Sequence, residues 1–283
     1  MLRYFAYVFI VAMAVIMAAI IAFFLVGGLA GRIESATDYR LTVFDTVAVP
    51  TPAGLRGQAV LEDLGHDRPV PQASLYFHFS DGYVDAGWID KRGIAVGARR
   101  GGLPEGRHPY EAFVSELTDS LGLRATGTVW VRPPETKILW VDADALLALP
   151  GRSAGIVPEA LATLKNLAFT RQLVYLVAAD VGNYRATRRR LADTPLPPGP
   201  AWWVEPAAEP QSLASLKRTW PSIEAAIVAS SRLAEAAGPI GLMILTVPAA
   251  DAEGAPSAGT VTWAEVGRRL SAKTKDANAK EGN

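Results

Sequence analysis

The chain has 283 residues, half of them hydrophobic, and 28 Lys plus Arg balance 28 Asp plus Glu, so the formal net charge is zero. That length accommodates two modest domains and an anchor. The charge balance argues against a nucleic-acid partner, which calls for a basic surplus or stripe. With no cysteine present, disulfides, thiol catalysis and thiolate metal sites are excluded. The three histidines, His66, His78 and His108, are scattered and lack zinc-type spacing.

Residues 1–30 come first. Tyr4 to Val26 is almost wholly apolar, with no charge after Arg3. At about 1.5 Å per residue a helix over this run matches the roughly 30 Å hydrocarbon core. A cleaved signal peptide competes, with Gly28-Leu29-Ala30 as its cleavage site. The run exceeds the usual signal core of roughly 7–15 residues, which favours an uncleaved transmembrane anchor. Arg3 and the free amino terminus favour the amino end inside, so the expected location is the cell membrane with the bulk on the extracytoplasmic side.

Residues 37–134 have a β character. LTVFDTVAV, GQAVLEDL, ASLYFHFS, YVDAGWI, GIAVGA and YEAFVSEL are short β-branched or aromatic runs, punctuated by Pro and Gly. WIDKRGIAV carries a hairpin signal, Asp90-Lys91-Arg92-Gly93 between two apolar runs. Regular short strands predict a small antiparallel sandwich. Three stretches, PVPQASLYFHFSDG, GWIDKRGIAV and LPEGRHPYEAFV, resemble bacterial Ig-like domains. The resemblance implies a spacer or binding module and no catalysis.

Residues 136–250 change texture, alternating apolar strand-like runs with helix-like ones. KILWVDA, RQLVYLVAA, PAWWVEP, IEAAIVAS and IGLMILTVP read as strands. VPEALATLKNLA, NYRATRRRLA, QSLASLKRTW and SRLAEAA read as helices, the first with Pro158 in its opening turn. The dense basic cluster Arg185, Arg188, Arg189 and Arg190 reads as the solvated face of its helix. Near-continuous apolar strands alternating with helices predict a doubly wound parallel sheet covered on both faces. Ligands of such sheets sit beyond the carboxyl ends of the strands. Asp142 and Asp144, in ILWVDADALLALPG, lie at that end of the first strand. Residues 251–283 form a polar, partly disordered tail with an amphipathic turn or two around Trp263, Val266 and Leu270.

An apolar strand ending in Asp-x-Asp resembles the haloacid dehalogenase-like (HAD) superfamily. More narrowly, LVYLVAADVGNYRATRRRLADTPLPPGPAWW resembles lipin-type phosphatidate phosphatases and their actin-patch-associated relatives, and the likeness spans Lys137 to Val247. The resemblance implies Asp142 as nucleophile, Asp144 as general acid and base, Lys217 as the cation that neutralises the phosphoryl group, and Mg²⁺ held by Asp142 and Asp144. A solvated helix lysine is the competing reading of Lys217. Two of the family's motifs depart from the pattern. Val177 stands where a hydroxyl residue holds a phosphoryl oxygen, and Ser230 and Ala234 stand where metal-binding acids are expected, with Glu235 and Asp180 as nearby substitutes. Loss of such preorganised charge lowers a rate by orders of magnitude. The interval from Asp144 to the next helix is too short for an inserted cap, so the site is expected to be open.

The sequence therefore predicts a membrane-anchored α/β-plus-β chain with an amino-terminal transmembrane helix, an Ig-like β-sandwich and a HAD-like, Rossmannoid domain. It predicts a binding or scaffolding pseudo-phosphatase, free of cofactor, for a protein or phosphoester ligand. The alternative is an active Mg²⁺-dependent phosphatase on a large phosphoester. Oligomeric state is not legible.

Overall fold

The structure, a computed structural model, describes residues 39–50, 55–63, 68–69, 74–90, 93–99, 101–114, 123–147, 156–250 and 259–281. The Tyr4–Val26 run lies outside them. The expected class, a membrane-anchored α/β-plus-β chain, is corrected on two counts. Strands dominate the described residues, with three sheets and few helices. No described helix is long and apolar enough to cross a membrane. The longest, Trp263–Glu281, carries Glu, Arg, Lys and Asp along its length.

The first part of the chain folds as two packed sheets. One contains β1 (Tyr39–Val43), β3 (Leu55–Asp63), β4 (Arg68–Pro69) and β7 (Ile94–Arg99). The other runs β2 (Thr46–Ala48), β9 (Arg124–Val131), β8 (Gly106–Val114), β5 (Ser74–Phe79) and β6 (Val84–Trp88). Alternate residues of β5 face inward, with Leu75, Phe77 and Phe79 buried while His78 is exposed. They meet Leu61 and Ala95 of the first sheet in one apolar core.

Two expectations about this part change. The second sheet is mixed, because β2 joins β9 in parallel. The WIDKRGIAV segment is no simple hairpin: β6 pairs with β5 while β7 pairs with β3, so the turn carries the chain from one sheet to the other. Asp90 shapes that crossing, its backbone carbonyl accepting from Gly93 N and its carboxylate from Ile94 N.

The second part is a five-stranded parallel sheet in the order β12 (Ala201–Val204), β11 (Gln172–Ala178), β10 (Ile138–Asp142), β13 (Ile223–Val228), β14 (Met243–Thr246). Its central strand is buried on both faces, so the run reads as continuously apolar. Leu139 and Val141 pack under α1 (Pro158–Leu167), α2 (Val181–Ala192) and α5 (Trp263–Glu281). Ile138 and Trp140 face α3 (Glu209–Thr219) and α4 (Ser231–Ala237). The carboxy-terminal amphipathic pattern extends into a full helix. Trp263, Val266 and Leu270 are buried, and Thr163 of α1 donates to Trp263 O at 3.2 Å.

The two parts share cores rather than merely touching. Phe44, between β1 and β2, stacks on Trp203 at 4.4 Å between ring centroids and meets Tyr184 at 4.9 Å. Trp220 at the end of α3 donates its indole N–H to Ala48 O at 2.8 Å. Between them lies the buried carboxylate of Asp45. It accepts from Thr128 N at 3.2 Å, Arg188 Nη2 at 2.8 Å and Ala201 N at 3.1 Å. Its backbone N–H donates to Tyr184 Oη at 3.1 Å, and Tyr184 Oη in turn donates to Ala201 O at 2.9 Å. Gly127 permits the approach: a Cβ there would fall 2.7 Å from Phe44 O and 2.6 Å from Val43 Cγ1. Arg188, expected on a solvated face, is thus an interface residue, and its Nη1 also donates to Thr126 O at 3.2 Å.

Removing one partner of a buried, hydrogen-bonded charge leaves the others unsatisfied. Asp45→Ala should lower the unfolding free energy by about 3 kcal/mol, seen as a lower urea midpoint with an unchanged slope. Asp45→Asn keeps one acceptor and should lose less. Midpoints that coincide with the unaltered protein would show that the carboxylate does not hold the two parts together.

Candidate functional site

Strand β10 delivers Asp142 to the carboxyl edge of the parallel sheet, and a turn of 3₁₀ helix, Ala143–Ala145, follows at once. Asp142 is 1 % exposed. Its Oδ1 accepts from Asp144 N at 3.1 Å and caps that short helix. Its Oδ2 accepts from Ala229 N at 3.0 Å and Ser230 N at 3.1 Å, the turn that leads from β13 into α4. Both carboxylate oxygens are therefore engaged by backbone N–H groups of two neighbouring loops. Asp144 is exposed, and its backbone carbonyl accepts from Ala250 N at 2.9 Å beyond β14. Asp142 thus fastens the central strand to the turn that follows its sheet neighbour β13.

Burial, and next the negative charge of Asp144, push the Asp142 carboxyl up to about 6, while the three backbone donors pull the other way. The environment therefore costs the ionised form more than its hydrogen bonds return. The carboxyl still ionises below neutral pH, so it is its burial and its backbone partners, rather than its protonation, that bear on a role as nucleophile or metal ligand.

The other expected residues are not gathered here. Lys217 lies in the last turn of α3 and donates its Nζ to Pro221 O at 2.6 Å and Ile223 O at 3.1 Å. Ile223 opens β13 and pairs with Ile138, at the amino-terminal edge of the sheet. Asp142 ends the same strand that Ile138 begins, so the length of β10 separates the lysine from the two aspartates. Val177 is buried in the core. Ser230 caps α4, accepting from Leu233 N. Asp180 caps α2, accepting from Asn183 N at 2.8 Å and Asn183 Nδ2 at 2.7 Å. Glu235 is exposed on α4. The one guanidinium at the start of α4, Arg232, is held by Glu209 at 2.8 Å.

These residues do not fit a magnesium site. Among the described residues no group of three or more His, Asp or Glu side chains comes together as a set of metal ligands. The two aspartates alone supply one buried, fully hydrogen-bonded carboxylate and one exposed one. Mg²⁺ is commonly held by one or two carboxylates and waters, but here the first of the two is 1 % exposed and turned onto backbone N–H groups, so it is not presented to an ion.

Sequence reasoning could place Asp142 at the strand end. It could not see the amides of Ala229 and Ser230, because every residue carries a backbone N–H and nothing in the sequence marks which ones point at a carboxylate. It also passed over Asp45, although an acid inside the apolar run LTVFDTVAV was a visible signal of a buried polar contact.

No protein-family model matches the chain, and no curated protein matches it. Among solved structures, an adhesin of Yersinia pseudotuberculosis, InvE, is 16% identical with a TM-score of 0.27 over 38% of this chain and 32% of that one. A glycosyl hydrolase family 2 member from Bacteroides cellulosilyticus is 10% identical with a TM-score of 0.30 over 76% of this chain and 36% of that one. The chain spans about a third of the length of each. Likenesses this weak carry no argument about activity. The HAD-like, pseudo-phosphatase and membrane readings expected from the sequence are corrected: no family model supports them, and no described helix is long and apolar enough to cross a membrane.

The raised Asp142 value has a thermodynamic consequence. A carboxyl whose folded pKa lies above its unfolded value of about 4 is more readily protonated in the folded state. Its favourable contribution is complete below about pH 4 and is lost as pH rises through about 6. Relative to Asp142→Asn, the unaltered protein should lose about 3 kcal/mol of stability between pH 4 and pH 7. Urea unfolding of both proteins at the two pH values measures the difference. Parallel curves would mean that Asp142 keeps an ordinary pKa.

Proposed function

We propose that the chain works as a binding module and that the Asp142–Asp144 edge performs no phosphoryl transfer. One observation carries this reading: Asp142 is 1 % exposed, and its carboxylate is turned onto the backbone N–H groups of Asp144, Ala229 and Ser230. A nucleophilic carboxylate must present a free lone pair to phosphorus in line with the leaving group. Asp142 is 1 % exposed, so neither oxygen is presented to a phosphoryl group at the surface. The distance of Lys217 from this edge supports the same conclusion, because a phosphoryl group there would lack the cation that spreads its charge.

The joined architecture also suits binding. Helix α2, β12 and α3 are locked to the β sheets through Phe44, Asp45 and Trp220. Surfaces that cross the junction are therefore held in fixed relation, which lowers the ordering entropy of recognition. The balanced charge of the chain favours a protein or phosphoester ligand over nucleic acid.

The test is turnover. The purified chain with millimolar Mg²⁺ should hydrolyse neither an aryl phosphate nor phosphatidate above the rate of buffer, and Asp142→Asn should behave identically. Magnesium-dependent turnover that disappears in Asp142→Asn would sink the binding-module reading.

A further inference from the structure

A cleft of about 590 Å³ opens where the β sheets meet α2 and the Pro197–Ala201 turn. The volume falls in the range of small-molecule pockets, roughly 300–1,000 Å³. Neither Asp142 nor Asp144 lines it. Four guanidiniums do, those of Arg107, Arg185, Arg188 and Arg189, and the sole carboxylate among the lining residues is Asp45. The charges come from both sides of the junction. Arg107 projects from β8, whereas the other three project from α2.

Their present engagements differ. Arg188 is committed to Asp45 at 2.8 Å, which removes one charge of each sign from the balance. Arg107 lies over the Trp130 ring at 4.7 Å from its centroid. Such stacking uses the flat face of the guanidinium and leaves its N–H edge for an oxyanion. Arg185 and Arg189 are exposed and form no ion pair with a described residue. Burial, and then the guanidiniums of Arg40 and Arg189, hold Arg185 below the ordinary arginine value, and Glu62 offsets them only in part. Among the described residues that line the cleft, four guanidiniums thus face one carboxylate. An anion in the cleft would relieve that repulsion, and guanidinium forks match phosphate oxygens in geometry as well as in charge.

We propose that this cleft binds a small phosphoester carrying more than one negative charge, bridged between Arg107 on the β side and Arg185 and Arg189 on the helical side. The proposal rests on the binding-module reading and gives it a place and a chemistry. The site is built on an interface already fixed by Asp45 and Phe44, so its two halves are held apart at a set distance. A ligand with two anionic groups spans them, and one with a single charge engages one wall.

Calorimetric titration of the full chain tests this, with pyrophosphate, inorganic phosphate and sulfate as probes. Pyrophosphate should bind saturably with Kd below about 1 mM at moderate salt. It should bind tighter than the other two anions and weaken as salt is raised. Arg185→Gln combined with Arg189→Gln should reduce that affinity about tenfold or more while the melting temperature stays put. Should the double variant melt lower, Arg107→Gln on the opposite wall is read by the same criterion. Absence of saturable pyrophosphate binding, equal affinity for all three anions, or unchanged affinity in the variants would overturn the proposal. Turnover and binding are separate readouts. Hydrolysis abolished by Asp142→Asn with intact pyrophosphate binding would remove the non-catalytic reading and leave the cleft, whereas the reverse pattern would remove only the cleft.

Discussion

The carboxylate of Asp45 is the contact around which the molecule is arranged. It sits at the break between β1 and β2, where the chain leaves one sheet and enters the other, and it is buried. Alone it would be a costly residue there, because a carboxylate withdrawn from water needs full compensation. Compensation comes from three directions: Thr128 N on β9, Arg188 on α2 and Ala201 N at the start of β12. Each of those donors belongs to an element that must already be in place for the bond to form. The carboxylate therefore reports on the whole junction, and the apolar contacts of Phe44 with Trp203 and Tyr184 fill the space beside it.

Asp142 applies the same device inside the parallel sheet with a different balance. It has amide donors but no cation, and its nearest charge is the negative one of Asp144. Asp45 has Arg188 as well as amides. Two buried aspartates at loop crossings thus serve as fasteners, and only the second has a counter-charge. Arg171 shows a third variant in the same layer: its guanidinium is buried, pairs with Glu224 at 2.8 Å and donates to Leu270 O at 3.0 Å, which docks α5 against the end of β11. Polar side chains fix the crossings in this protein, while apolar ones fill the layers between them.

The layers are what the sequence displays. The run ILWVD reads as a strand buried on both faces, and the amphipathic spacing of VPEALATLKNLA marks a helix with Pro158 at its first turn. The crossings are hidden. LTVFDTVAV reads as one strand, yet it is two strands in two sheets, because period-two alternation is the same on both sides of a break. Arg188 looks solvated by helical periodicity, since its partner lies 143 positions away in the chain. The two aspartates of ILWVDAD could be placed at a strand end from sequence alone. Their chemistry could not, because it is set by amides of Ala229 and Ser230 that no side-chain pattern reveals.

The exchange of Phe44 and Trp220 across the junction bears on how the chain comes apart. Phe44 belongs to the core of the parallel sheet although it lies in the β half of the sequence, and Trp220 reaches back to Ala48 from the other half. A cut near Pro134 would separate two pieces that each lack a wall: one would expose a phenylalanine, the other the aromatic slot that receives it. The β sheets have a core of their own, but both cores that flank the parallel sheet draw on the β part, Phe44, Val60 and Ile94 in one and Trp130 in the other, so loss of order in the β part removes support from the parallel sheet. What looks in sequence like a string of separable domains shares buried apolar layers across the boundary near Pro134.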